Sequence, residues 1–483
     1  MRNQFLGGAE PWRKICVARP YFAAMAKKTV SAPAAPAPAN RPPYMLIEEI
    51  RVQGYKSLVD ATLHVRPLTL LAGTNSSGKS SIMQPLLLIK QTMEAPYQPA
   101  GALVLDGAHV QAETAGELVS KVSGETNKSY FLRLIAKDGI PLGPLEKPQS
   151  LELLYVQNGV NFDIAYQKHT VSRRGDLVEM IPLPIMSELM IESPEGGKTK
   201  VKIGNDDLGV VDSQGGLLKF FFNSSTPRMM ESFGPFSFIE ILASLFHIPG
   251  LRRKPERSHP ATTFSNHIRG TFDLYVAGTV SQWQQQENTE ALTKLNDYLR
   301  RLGLTDSVTA KVKNANEVEL SVSRLPAGSK GKPRKADMVN IADVGIGVSQ
   351  VLPILVALIA AQEGQIVYVE QPELHLHPRA QVAMAELLAE AANRGVRVIV
   401  ETHSSLLLLT IQTLIAQDRI KNTDVALHWF KRDAKGATQV TYVEPDEDGA
   451  YGEWPEDFGD VELKAQDAYL TAVGMRHFGK AVK

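Results

Sequence analysis

Eight consecutive residues carry the clearest chemistry in this chain. Gly73-Thr74-Asn75-Ser76-Ser77-Gly78-Lys79-Ser80 fits the pattern G-x-x-x-x-G-K-[ST]. Small residues let the backbone N–H groups of such a loop wrap a polyphosphate, and a helix starting there adds positive potential. Gly73, Asn75, Ser76, Ser77, Gly78 and Ser81 are the expected cradle. Lys79 supplies a point charge for the β- and γ-phosphates. The Ser80 hydroxyl is an oxygen ligand for Mg2+, a hard cation that prefers oxygen. The pattern predicts binding of ATP with Mg2+.

A loop of this kind works with a carboxylate on a neighbouring strand. Ile366-Val367-Tyr368-Val369-Glu370 is an apolar run ending in an acid, followed by Gln371-Pro372-Glu373. Glu370 is expected to serve Mg2+ together with Ser80. The base for an attacking water stays open: Gln371 can orient water but takes no proton as a carboxylate does, so Glu373 or Glu370 would supply it. Val398-Ile399-Val400-Glu401-Thr402-His403-Ser404 sets His403 at another strand's C-terminal end. Open α/β sheets bind ligands at that edge, and a neutral imidazole there can hydrogen-bond a γ-phosphate or the water. His375 and His377 form an H-x-H pair with no cysteine nearby and no obvious third zinc ligand. They are read as shaping a loop at a subunit interface.

These residues need a scaffold. Leu46–Val52 reads as a strand, Ala61–Val65 alternates weakly, and Leu68–Ala72 is short and apolar, as a buried strand would be. The loop leads into a helix predicted over Gly78–Met93. The region 100–330 is mixed and mostly β-like, with turn clusters such as Glu195-Gly196-Gly197 and helices over Met229–Phe246 and Glu287–Leu302. From Asn340 the pattern becomes regular: a helix over Val348–Ala361, a strand over Gln365–Glu370, a helix from Pro378 to near Gly395, a strand over Val396–Val400 and a helix over Ser404–Ala416. Strands alternating with helices imply a mostly parallel sheet covered on both faces.

Composition sets outer limits. The chain has 483 residues, 52 Lys+Arg against 52 Asp+Glu, and a single cysteine, Cys16. That excludes a disulfide framework and a cysteine-based zinc site, and fits a reducing, cytoplasmic setting. Zero net charge excludes a wholly basic nucleic-acid-binding domain, though not a local basic groove. The longest apolar run, Val351–Ala361, is far shorter than the roughly 20 residues of a membrane helix; no membrane partner is expected. Residues 1–44 read as a disordered basic and Ala/Pro-rich tail. Two basic clusters, Arg252-Arg253-Lys254 with Arg257, and Lys330, Lys332, Arg334 and Lys335, are candidates for DNA or RNA phosphates, with solvated loop charge as the plainer reading. Glu444–Glu462 is acidic, with no Lys or Arg.

Four ordered pieces, GTNSSGKSS, DVGIGVSQVLPIL, VYVEQPELHLHP and VIVETHS, resemble the ABC/SMC-type P-loop ATPases. The likeness is to the stand-alone bacterial group that includes the OLD-like ("overcoming lysogenization defect") ATPases. It covers about residues 46–95 and 340–430, and implies an α/β P-loop NTPase of ABC/SMC head type. Its nucleotide-binding sheet would be assembled from N- and C-terminal lobes, with a mixed α+β region inserted. The expected divisions are 45–150 with the P-loop, 151–335 inserted, 336–445 with the remaining motifs, and 446–483 as an acidic extension. The resemblance also implies that Asp343–Gln350 is a signature segment closing on the ATP of a second subunit, through Gly345, Gly347 and Ser349. The usual Ser-Gly-Gly core is replaced here by Val344-Gly345-Ile346-Gly347, and the usual Asp-Glu strand end by Glu370-Gln371.

The function expected from this resemblance is an ATP-hydrolysing, ATP-gated homodimer or higher oligomer. It would act in nucleic-acid processing or anti-phage defence with a partner nuclease or toxin. No TOPRIM-like acidic cluster follows residue 430. The competing readings are a transporter ATPase subunit, a regulatory ATP-binding switch with little hydrolysis, and a small-molecule P-loop kinase. The atypical signature and long insertion argue against the transporter. The signature segment and the late acidic strand argue against the kinase.

Overall fold

The computed structural model describes residues 45–96, 101–122, 127–138, 149–173, 176–180, 188–192, 198–202, 208–211, 217–220, 234–263, 265, 267–324, 337–452 and 467–473. The expected tail, the cluster Lys330–Lys335 and most of the acidic stretch after Gly452 lie outside these residues.

Two six-stranded sheets organise the molecule. One is antiparallel, in the order Leu58–His64, Met45–Tyr55, Ser129–Asp138, Gln149–Asn158, Asn161–Arg173, Asp176–Met180. Its register with Ser129–Asp138 shifts between Ile47 and Glu49. The extra residue lets Met45 and Ile47 share the buried face with Ile50 and Val52, although the spacing changes from even to odd between the pairs. The strand Gln149–Asn158 continues this sheet across position 150, the expected lobe boundary.

The second sheet runs Phe246–Ile248, Ile366–Glu370, Arg397–Glu401, Leu68–Gly73, Val425–Arg432, Thr438–Val443. The first five strands are parallel and the last returns antiparallel. Strands from both ends of the chain therefore interleave, and Leu68–Gly73 lies between two strands that arrive more than 300 residues later. This is the expected assembly of one nucleotide-binding sheet from two lobes. Phe246–Ile248, from the inserted region, adds an edge strand.

Burial on both faces explains the unbroken apolar runs. Leu68, Leu70, Val367, Val369, Val398 and Val400 face a helical layer formed by Val276–Gln285, Thr289–Arg301, Ile346–Ala360, Pro378–Asn393 and Ser405–Ala416. Leu71, Tyr368, Ile399 and Phe430 face the antiparallel sheet and the helix Gln84–Glu94. Against that helical layer packs a small sheet of His259–Pro260, Val308–Asn314, Glu317–Ser323 and Met338–Asn340. Two hairpins, Glu188–Glu192 with Lys198–Lys202 and Leu208–Val211 with Leu217–Phe220, complete the described strands.

The expected helix over 78–93 is divided. A 3-10 turn, Ser80–Ile82, precedes the α-helix Gln84–Glu94, which starts with Pro85 in its first turn. Proline has no N–H to donate back into the preceding turn, so it is tolerated at a helix start and not mid-helix. Helix Val276–Gln285 has no counterpart in the sequence reading. Its polar residues Thr279 and Ser281 are buried, which blurs the apolar stripe.

Candidate nucleotide site

The loop after Leu68–Gly73 is built on two glycines that nothing else replaces. Gly73 has φ +144°, and a Cβ there would sit 2.1 Å from the Phe430 carbonyl on the adjacent strand. Gly78 has φ +99°, and its Cβ would meet the Thr438 hydroxyl at 2.5 Å. Thr438 is buried and locks the loop: its Oγ1 donates to Ser77 O and bonds Ser57 Oγ, both at 2.8 Å, and its N–H donates to Ser57 O at 2.7 Å. Ser57 and Thr438 carry no motif of their own. Only the pairing of distant strands reveals them. Thr74, Asn75 and Ser76 are exposed at the loop tip, and Ser76 adopts φ +57°.

Lys79 is buried and folds back over the loop, donating to Gly73 O at 3.1 Å and Thr74 O at 2.8 Å. Burial pulls its pKa down, against the opposing pull of Glu401 and Glu373. Both acids are therefore electrostatic neighbours of the lysine.

Ser80 Oγ donates to Glu401 Oε2 at 2.7 Å, and Tyr368 OH donates to the same oxygen at 3.2 Å. Glu401 is buried, and burial raises its pKa, with Glu370 adding repulsion. Glu370, expected beside Ser80, is instead held by His247 Nε2 at 3.2 Å on Oε1 and by the Gly250 N–H at 3.0 Å on Oε2. Strand order is the reason: Arg397–Glu401 stands between the P-loop strand and Ile366–Glu370. Burial pushes the Glu370 carboxyl up, but the bonds from His247 and Gly250 outweigh it, and its pKa is lowered.

Glu373 and His403 meet at the loop. The His403 N–H donates to Glu373 Oε1 at 2.6 Å, while Glu373 Oε2 is buried with no hydrogen-bond partner among the described residues. Burial raises the Glu373 pKa. The His403 imidazole is lowered by burial and then by Lys79, against a bond to the Gly73 backbone. Gln371 has φ +46°, and its N–H is spent on Glu401 O at 2.7 Å.

The loop Ile248–Arg252 braces this strand end. Arg252 is buried and its Nη2 donates to Glu370 O at 2.7 Å, while Nε and Nη1 meet no partner among the described residues. Burial brings its pKa down to about 10. The basic cluster at 252–257 is thus not a uniform solvent face. Arg252 points inward, Arg253 lies 3.6 Å from Asp273, and Arg257 pairs with Asp343 at 2.6 Å.

Gly345, Gly347 and Ser349 open the helix Ile346–Ala360, whose N-cap, Gly345, offers no capping side chain. Ser349 Oγ bonds its own helix at Ile346 O, 2.9 Å. No described hydrogen bond joins these residues to the P-loop of the same chain. The Arg257–Asp343 pair beside them is exposed, and such pairs contribute about 0–1 kcal/mol. No group of three His, Cys, Asp or Glu residues placed to hold a metal occurs among the described residues.

Two family models match separate parts of the chain: "AAA ATPase domain" over residues 45–134, and "AAA domain, putative AbiEii toxin, Type IV TA system" over residues 251–409. No curated protein matches the sequence. Similar solved structures include an Smc head bound to the C-terminal winged-helix domain of ScpA, 12% identical, covering 83% of this chain and 98% of that one, with TM-score 0.43. A second is the Smc head with extended coiled coil and the ScpA C-terminal domain from Pyrococcus furiosus, at 11% identity, 83% and 96% coverage and TM-score 0.43. A third, the SMC head of Thermotoga maritima, has 10% identity, 83% and 99% coverage and TM-score 0.35.

The loop, the split parallel sheet and the two AAA matches define the class. The chain has an α/β fold of P-loop NTPase type, and the two AAA matches support an ATPase. Among its described residues, no helix is long and apolar enough to cross a membrane.

Proposed function

We propose that the chain hydrolyses ATP and works as an ATP-gated dimeric switch for a partner effector, in nucleic-acid processing or anti-phage defence. One observation carries the hydrolytic part: around a P-loop whose Lys79 lies on its own loop carbonyls, Glu373 presents a buried, unpartnered oxygen. The second family model, named for a toxin of a toxin–antitoxin system, supports the effector part.

In this reading the loop N–H groups and Lys79 bind the phosphates of ATP. The Ser80 hydroxyl and the carboxylates at the adjacent strand ends, Glu370 and Glu401, are hard oxygen donors that suit Mg2+. When bound, Mg2+ neutralises charge on the β- and γ-phosphates. A water attacks the γ-phosphorus and loses its proton to Glu373 Oε2. The oxygen bridging the β- and γ-phosphates leaves with the electron pair, giving ADP and phosphate. The His403 N–H holds Glu373, and its imidazole, whose pKa burial and Lys79 lower, lies beside Lys79 and the Gly73 backbone. A carboxyl raised by burial suits a general base, whose efficiency peaks when its pKa nears the working pH. Gln371 serves only to shape the turn. The uncapped helix start at Gly345 offers its N–H groups to the ATP of a second subunit.

The test is equilibrium ATP binding. Lys79→Ala is expected to weaken binding at least tenfold in a protein with an unchanged circular dichroism spectrum. Undiminished affinity in that variant would remove the P-loop from the mechanism.

A further inference from the structure

We propose that a pocket beside the helix Ile346–Ala360 is a binding site for free inorganic phosphate, held by Arg252 and Asp273. The site is separate from the P-loop, and the inference needs no part of the ATP reading above.

The pocket lies between the segment 252–260, the 3-10 turn Phe272–Leu274 and that helix. Leu320, Ile341, Leu352 and Pro353 give it apolar walls, and Arg252, Asp273 and His259 supply its polar part. These three residues carry buried polar atoms with no hydrogen-bond partner among the described residues: Nε and Nη1 of Arg252, Oδ1 of Asp273 and Nε2 of His259. Arg252 is 7% exposed and the Asp273 side chain 6%, so little solvent reaches them. A buried polar group without a partner destabilises a fold, and four on three residues of one pocket mark a place prepared for a ligand.

Their chemistry selects the ligand. Arg252 keeps its charge at neutral pH, although burial brings its pKa down to about 10. Two of its nitrogens need an acceptor. Arg253 and Lys254 add positive charge at the exposed mouth, against Glu256 and Asp273. Asp273 Oδ2 lies 3.6 Å from Arg253 Nε, which leaves Oδ1 for the ligand. A carboxylate oxygen only accepts, so the anion must bring a proton of its own. Near neutral pH orthophosphate still carries a P–O–H group that can donate to Asp273; sulfate carries none. Burial lowers the His259 pKa, and its neutral ring donates or accepts at Nε2 as the tautomer requires. Arg252 Nη2 meanwhile bonds Glu370 O at 2.7 Å. A phosphate on Nε and Nη1 therefore completes the guanidinium that braces the strand end.

The experiment is isothermal titration calorimetry of the full-length protein with inorganic phosphate and with sulfate, in the absence of nucleotide. Folded Lys79→Ala serves as the background, because a P-loop also takes phosphate. One phosphate should bind per chain there, at least about tenfold tighter than sulfate, since a site with an unpaired acceptor rejects an ion that has no proton to give. Asp273→Asn, whose amide can donate as well as accept, should weaken phosphate about tenfold and bring the two anions within about threefold of each other. Arg252→Gln should abolish saturable binding of both. The comparison of the two anions needs no change in the pocket, so it decides the matter even if these variants do not fold. Absence of saturable phosphate binding in Lys79→Ala, equal affinity for sulfate, or an unchanged preference in folded Asp273→Asn overturns the assignment. A non-hydrolysable ATP analogue should leave the phosphate bound. Its displacement would show that the pocket takes the terminal phosphate of a nucleotide, which overturns the assignment to free phosphate. ATP affinity of Asp273→Asn should stay within about twofold of wild type, so failure here leaves the P-loop reading intact.

Discussion

Glu373 and Gln371 stand two positions apart, yet only Glu373 is a carboxylate, and its Oε2 is buried with no partner among the described residues. General-base help is worth about 10²–10⁴-fold. Steady-state turnover of Glu373→Gln should therefore fall at least 100-fold while ATP affinity stays near wild type. Gln371→Glu should not raise turnover more than threefold, because a turn at φ +46° directs that backbone to Glu401 O. A fast Glu373→Gln enzyme would place the base elsewhere. The positions of Gly73–Ser80 and His403 at strand ends were legible in the sequence, and the structure brings them together with Glu373, whereas the choice of base among Gln371, Glu373 and Glu370 was open. What stayed hidden was which acid meets Ser80. Glu370 and Glu401 both end apolar strands, and only lateral strand order tells them apart.

At the scale of elements, the strand Val425–Arg432 holds the other side of the P-loop strand, and a buried imidazole sits inside it. His428 Nε2 accepts the backbone N–H of His64 at 2.9 Å. Burial, with His64 adding repulsion, brings its pKa from the ordinary 6.5 down to about 3. Between those values the unfolded chain takes up a proton that the folded chain refuses. The contribution to stability is complete above pH 6.5 and is lost as pH falls toward 3, at about 1.4 kcal/mol per pH unit. His428→Asn, which keeps an acceptor for His64, should flatten the fall of the unfolding free energy, from urea titrations, between pH 6.5 and 4.5 by about that slope. Parallel slopes would show that His428 is protonated in the folded state. Periodicity located the strands and helices near the P-loop and after Asn340, because each repeats one burial pattern over its length. It missed Val276–Gln285, whose buried Thr279 and Ser281 read as polar, and ran through Gln84, where Pro85 restarts the helix.

At the scale of the molecule, Gly345 reports on assembly. A Cβ there would meet nothing within 4 Å in its own subunit. Gly345→Trp should leave single-subunit ATP binding within threefold and abolish the dimer expected by light scattering with a non-hydrolysable ATP analogue. A wild-type protein that stays monomeric at high concentration with bound analogue would end the shared-site reading. The interleaved sheet also has a consequence for the order of events during synthesis. The strand Leu68–Gly73 leaves the ribosome early, but both of its lateral partners lie beyond Arg397. At about 5–20 residues per second, the loop waits roughly 15–70 s for them. Meanwhile the antiparallel sheet that begins at Met45 can form from strands that all precede residue 181. A growing chain thus has its phosphate-binding residues long before it has a place to hold them. Competence to take up nucleotide comes only with Val425–Arg432, late among the described strands.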